Sequence, residues 1–326
     1  MRTCIRRTGP LWLALSFAAL LAAPAALADD FPSRPIKLLV GAPPGGTTDT
    51  IARAIANPMA EALKQPVLVE NRPGAGGNIA ADQVAKSPAD GYTLLVSFSS
   101  HTINASLYPK LPYDPVADFT PITKIATVPS LLVGNPKIPA KDLNELIALA
   151  KARPDKLTMG IGGIGSSLHL AGEKFKLMTG ARMLNVPYKG TAPALTDVLG
   201  GQVDLMFISF VTGAEQVKSG NLRAFGVTTA NRLPALPNLP AIGEIVPGFE
   251  SSAWFGVFGP GKLPAAVTDK LHGAIVAGLS DPTLRERLQN EGAEPVGDSP
   301  AQFAAFVKQD IDRWAPIVKA SGATPN

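Results

Sequence analysis

The chain has 326 residues, with 30 lysines and arginines against 26 aspartates and glutamates and a formal net charge of +4. A charge this close to balance gives no support to nucleic-acid or membrane-surface binding. The single cysteine, Cys4, lies before the first apolar run, so beyond it disulfides, thiolate nucleophiles and cysteine metal sites are excluded.

Residues 1–28 read as a signal peptide. Arg2, Arg6 and Arg7 precede an apolar run from Leu11 to Leu21, and Ala26-Leu27-Ala28 has the small-x-small form of a peptidase site. The run is shorter than the about 20 residues that a membrane-spanning helix needs. Cleavage after Ala28 leaves 298 residues starting at Asp29. Three arginines and no acid leave with the segment, so 27 basic and 26 acidic residues remain. Arg6-Arg7 is followed by Thr8-Gly9-Pro10, which favours the general secretory route over the twin-arginine one.

Beyond Asp29, short apolar runs alternate with longer amphipathic ones. The pattern predicts strands at Ile36–Val40, Val67–Val69 and Tyr92–Val96, with helices at Thr47–Leu63 and Asn78–Lys86. It continues with helices at Asp142–Ala152, Ser166–Met178 and Thr191–Leu199. Strands fall at Leu157–Gly160, Met183–Val186 and Val203–Ile208. Asp142 with Glu145 and Ser299 with Gln302 have the spacing of capping boxes, and Thr191 is expected to cap its helix. After a Pro-rich loop, Leu233 to Pro247, comes an apolar strand, Trp254–Phe258, and then three helices. Strand–helix alternation implies an α/β protein with parallel sheets. The expected division is a first lobe of residues 29–128 and 253–326 and a second lobe of residues 129–252. Two crossings would join the lobes as a hinge.

Three Gly-rich loops join strands to helices: Gly41–Asp49, Arg72–Gly77 and Gly160–Gly165. Glycine lets a ligand approach backbone N–H groups, and a helix N-terminus adds partial positive charge. A plain strand–helix turn explains the first loop equally well, and Asp49 fits either reading. Gly160-x-Gly162-x-x-Gly165 matches the dinucleotide pattern, but no acid stands between Glu173 and Asp197, where the ribose partner belongs. Ser166 lacks the nucleophile-elbow glycines of an α/β hydrolase. His101, His169 and His272 lack zinc-ligand spacing, so no metal and no cofactor is expected. Ser97, Ser100, Tyr188 and Lys189 stand at strand ends where they could reach a ligand; Lys189 could equally be a solvated loop lysine.

These segments carry a resemblance. Gly45-Gly46-x-x-Asp49-x-x-Ala52-Arg53, Val69-Glu70-Asn71-Arg72-Pro73-Gly74-Ala75-Gly76-Gly77-Asn78, Gly165-Ser166-x-x-His169 and Pro187-Tyr188-Lys189-Gly190 are similar to the Bug family. Gly200-Gly201-Gln202-Val203-Asp204 completes the match. Bug proteins are periplasmic receptors of tripartite tricarboxylate transporters. The resemblance implies a type II periplasmic-binding-protein fold of two α/β lobes and a non-enzymatic, monomeric receptor that delivers a small organic carboxylate to membrane transporter subunits. A sensory receptor is the alternative. It further implies that backbone amides and waters at Pro43–Asp49 and Gly162–Ser166 hold the carboxylate. The implied ligand-binding set is Pro44, Gly45, Gly46, Thr47, Asp49, Ser97, Ser100, Gly163, Gly165, Ser166, His169, Tyr188, Lys189 and Ser209. Gly46 is expected at positive φ. Ile208-Ser209-Phe210 stands where amino-acid-binding members tend to carry an acid, which favours an amine-free carboxylate.

Overall fold

The computed structural model describes residues 31–290 and 292–325; the signal peptide expected over residues 1–28 lies outside the described residues. The first part of the chain forms β1 (Ile36–Val40), α1 (Thr47–Leu63), β2 (Val67–Asn71), α2 (Asn78–Ala85), β3 (Thr93–Phe98), α3 (Ser100–Leu107) and β4 (Phe119–Val128). A second series follows: β5 (Ser130–Gly134), α4 (Leu143–Ala152), β6 (Thr158–Ile161), α5 (Ser167–Thr179), β7 (Leu184–Pro187), α6 (Thr191–Gly200), β8 (Leu205–Ser209), α7 (Phe210–Lys218), β9 (Arg223–Val227) and α8 (Ile242–Ile245). The chain then adds β10 (Ala253–Pro260), α9 (Ala265–Leu279), α10 (Pro282–Asn290), β11 (Glu294–Pro295) and α11 (Pro300–Ser321).

Two sheets result. One has the order β11-β4-β10-β3-β1-β2 and the other β7-β6-β8-β5-β9. Both are mixed rather than parallel. β1 runs parallel to β2 and β3, and β6 runs parallel to β7 and β8. β10, however, is antiparallel to β3 and β4, and β5 is antiparallel to β8 and β9. Besides the short β11, which is reversed as well, these two reversed strands are those by which the chain enters the second lobe and re-enters the first. They arrive from the crossing, at the carboxyl ends of the parallel strands, and so run the other way.

Alternation along the strands builds the layers, since successive side chains point to opposite faces. Leu38, Val40, Leu94, Val96, Phe255 and Val257 share one core with Ile51 and Ile55 of α1 and Leu271 and Ile275 of α9. Leu39, Leu95, Trp254 and Phe258 share the opposite core with Val84 of α2 and Phe303 and Val307 of α11. In the second sheet, Met159, Leu205 and Phe207 pack with Phe175 of α5, while Met206 and Ile208 pack with Val198 of α6.

The crossings place the site. The chain passes between sheets at Pro129 and again at Ser251–Ser252, and buried Thr228 ties the two passages together. Its N–H donates to Ser130 O, its Oγ1 accepts from Ser130 N–H, and its O accepts from Ser251 N–H, all at 2.9 Å. Ser130 pairs with Ser209, Ala253 with Val128 and Phe255 with Phe98. The carboxyl ends of β3 and β8 therefore both border the crossings, and the strand–helix loops of each sheet lie at those carboxyl ends, the usual ligand position in such sheets.

Two local expectations change. Gly190, at φ 117, is the cap of α6, and Thr191 is its first helical residue. Helix α3 has no apolar periodicity in sequence. It is held in part by a polar bond, Thr102 Oγ1 donating to the buried carboxylate of Asp310 on α11 at 2.6 Å, with Ser99 O 2.9 Å away. Helix α11 lies against α3 and β4, and also against α5 of the second lobe. Ile103 and Leu107 of α3, Leu170 of α5 and Trp314, Ile317 and Val318 of α11 form one apolar cluster across the seam.

Candidate functional site

The β1–α1 loop ends at Gly46, which caps α1 without a side-chain acceptor. Gly46 is extended (φ −82, ψ 167) rather than left-handed. The left-handed residue is Gly45, at φ 79, a conformation that costs a β-carbon-bearing residue about 1–2 kcal/mol. Its N–H donates to Asp49 Oδ2 at 2.9 Å and so is not free for a ligand. Asp49 is buried. It also accepts from Arg53 Nε, at 3.1 and 3.0 Å to its two oxygens, and from Asn71 Nδ2 at 2.9 Å. Burial pushes its carboxyl up, but the bonds from Arg53, Gly45 and Asn71 outweigh this and hold it below the ordinary range. Asp49 thus acts on the loop. The amides of Gly46, Thr47 and Thr48 have no partner among the described residues, and Pro43–Thr47 are all exposed.

The β6–α5 loop repeats the plan. Gly165, at φ 74, donates its N–H to His169 Nδ1 at 3.0 Å. Ser166 caps α5: its Oγ accepts from His169 N–H at 3.2 Å and donates to Gly163 O at 2.8 Å. A ring nitrogen that accepts leaves the imidazole proton on Nε2, which lies 3.4 Å from Glu173 Oε1. Glu173 also accepts from Lys176 Nζ at 2.8 Å and Asn185 Nδ2 at 2.6 Å. Burial raises the Glu173 carboxyl, but the bonds from His169, Lys176 and Asn185 overcome it and hold it down at about 2. The amides of Ser167 and Leu168 have no partner among the described residues. Each lobe therefore has a glycine loop and a helix N-terminus with unpaired donors, an arrangement suited to an anion.

A family model described as the tripartite tricarboxylate transporter family receptor matches residues 51–323. The chain belongs to this family. Protein BugT of Bordetella pertussis is 40% identical over 306 residues, covering 93% of this chain and 94% of that protein. Among solved structures, the Rpa4515 protein of R. palustris with adipate is 39% identical at a TM-score of 0.76, covering 91% of this chain and all of that one. MatC from Rhodopseudomonas palustris with bound malate is 35% identical at a TM-score of 0.72, covering 88% and 100%. The two-sheet architecture is accordingly that of a periplasmic binding protein, and proteins of this family are periplasmic receptors rather than enzymes.

The remaining candidates sit at different depths in the receptor. Ser97 is buried within the sheet, paired opposite Gly256. Ser100 opens α3 and donates its hydroxyl to Gly76 O at 2.6 Å, fixing the second Gly-rich loop. Pro44 is exposed on the first loop, and Gly163 is half-buried on the third. Tyr188 donates its hydroxyl to Asp197 Oδ2 at 2.5 Å, a bond that pushes the phenol up to about 12. Lys189 is exposed with no partner among the described residues. Ser209 stands at the N-terminus of α7, its Oγ 2.9 Å from Thr212 Oγ1. His101 is structural: its Nε2 meets Pro115 O at 2.9 Å, and burial holds the ring down at about 4. Sequence reasoning missed the supporting shell of Arg53, Asn71, Glu173 and Asn185. Arg53 and Asn71 stood inside the quoted motifs, but only folding brings Asn71 to Asp49 and Asn185 to Glu173.

Proposed function

We propose that this receptor, exported and cleaved after Ala28, binds a small amine-free organic carboxylate between its lobes and delivers it as a monomer to the membrane subunits of a tripartite transporter. The lobes are residues 29–128 with 253–326, and residues 129–252, closing about the crossings at Pro129 and Ser251–Ser252. One observation supports the reading: β1 and β6 each lead, at the carboxyl end of a parallel strand, into a glycine loop and a helix N-terminus with unpaired amides. Several short N–H donors satisfy a carboxylate without a dedicated cationic side chain. The structures of relatives with adipate and malate support the ligand class. The stretch Ile208-Ser209-Phe210, where an ammonium partner would be expected, carries no acid, which supports an amine-free ligand.

A thermal-shift screen over mono- and dicarboxylic acids, with aspartate and glutamate as amine-bearing controls, tests this. The amine-free acids should shift the transition. A response confined to aspartate and glutamate refutes the amine-free reading, and no response to any acid refutes carboxylate binding. N-terminal sequencing of the exported protein should begin at Asp29.

A further inference from the structure

The two binding loops are supported by side chains that occupy equivalent stations and differ in chemistry. β1 and β6 are equivalent strands, each flanked by two parallel neighbours. Each is followed by a glycine packed against the loop of the next strand. A β-carbon on Gly41 would lie 2.9 Å from Gly77 Cα, and one on Gly162 would lie 2.9 Å from Thr191 Cα. Each loop then reaches a left-handed glycine, Gly45 or Gly165, whose N–H is accepted by the side chain four residues later, Asp49 or His169. That acceptor meets a charged residue a further four positions on, Arg53 or Glu173. An asparagine from the neighbouring parallel strand, Asn71 or Asn185, completes each set.

The charges are reversed between the lobes. A carboxylate held by a guanidinium does in the first what a neutral imidazole held by a carboxylate does in the second. Shared geometry with unlike chemistry leaves one common task, accepting the glycine amide. We propose that Asp49 and His169 are paired positioning residues. Each latches the left-handed glycine of its lobe, so that the loop amide is consumed internally and the amides of the helix's first turn are left for the ligand. Asp49 and His169 therefore contact the loop and not the anion. The part concerning the ligand rests on the carboxylate reading above; the latch itself does not.

Amide exchange on the ¹⁵N-labelled protein without ligand tests the latch. Gly45 and Gly165 should exchange more slowly than Gly46 and Thr47. Losing one amide bond corresponds to about a tenfold faster exchange. Asp49→Ala should therefore accelerate Gly45 alone and His169→Phe Gly165 alone. Asp49→Asn and His169→Asn, which keep an oxygen at the accepting position, should stay within about threefold of the parent. The His169 pair separates latch from filler. If ring volume is what matters, Phe protects Gly165 better than Asn does, and the proposal is overturned. It is also overturned, with no variant needed, if Gly45 and Gly165 exchange as fast as Gly46 in the parent protein. Titration with adipate is the second arm. The latch variants should weaken its binding and the asparagine variants restore it. Absent adipate binding with slow Gly45 and Gly165 exchange counts against adipate as a ligand and supports the latch.

Discussion

Replacing Gly46 by valine separates ligand exclusion from damage to the loop. At φ −82 and ψ 167 the backbone there already suits a β-branched residue, and an added β-carbon would find its nearest neighbour, Pro43 O, at an ordinary 3.5 Å. The free protein should therefore fold normally. The valine side chain nevertheless stands beside the unpaired amides of Gly46, Thr47 and Thr48 and keeps a carboxylate from reaching them. Losing two charge-assisted bonds of about 1.5–3 kcal/mol each removes at least ~3 kcal/mol. That is a weakening of at least about 100-fold. Lys189→Met removes an exposed charge of ~0–1 kcal/mol, or about fivefold at most. Isothermal titration with the acid giving the largest shift in the screen measures both, after urea unfolding has shown the variants to be as stable as the parent. If Lys189→Met abolishes binding while Gly46→Val leaves it intact, a lysine salt bridge holds the anion and the helix-terminus account fails.

Gly165→Ala should instead cost stability. The left-handed backbone contributes about 1–2 kcal/mol, and the new methyl would lie 2.7 Å from Leu107 Cδ2, adding ~1–2 kcal/mol of overpacking. Urea unfolding should show the sum, and in a Leu107→Ala background, compared with that single variant, Gly165→Ala should cost only the backbone part. Glu173 makes stability pH-dependent. Its folded pKa of about 2 lies below the ordinary 4.5, so the unfolded chain binds more protons between these values. The contribution, screened to about 1–2 kcal/mol, is present above pH 4.5 and lost as pH falls toward 2. Glu173→Gln should flatten that limb of a pH–stability curve. Small-angle scattering should give a smaller radius of gyration with bound acid, and an unchanged profile at saturation argues against lobe closure.

The layered α/β fold was legible in sequence because its strands are short, apolar and punctuated. Helix α1 runs from Thr47 to Leu63 as its amphipathic pattern indicates. What escaped was non-local. Helix α3 is supported by Asp310 and by the apolar face of α11, more than 200 positions away, and no window of sequence contains both. The antiparallel course of β5 and β10 follows from re-entry at the hinge, which leaves no mark on composition. At the site, the Gly-rich loops were visible, but the left-handed residue is Gly45 rather than Gly46. Asp49 and His169 were singled out for ligand contact. Their role as acceptors for loop amides depends on backbone geometry that spacing alone does not reveal.

The seam shared by α3, α5 and α11 gives the protein a built-in optical gauge. Of the two tryptophans among the described residues, Trp254 is bonded to Asp310 in the first lobe, and Trp314 lies in the seam where α11 meets α5. Trp314 Nε1 is buried with no hydrogen-bond partner among the described residues, and its indole packs in the apolar cluster of Leu107 and Leu170 with the Arg313 guanidinium 5.6 Å from its ring. Any sliding of α5 along α11 changes the polarity around one emitter and leaves the other as an internal standard. If the proposed capture of an acid moves α5 along α11, it should therefore alter the protein's tryptophan emission, with no label attached.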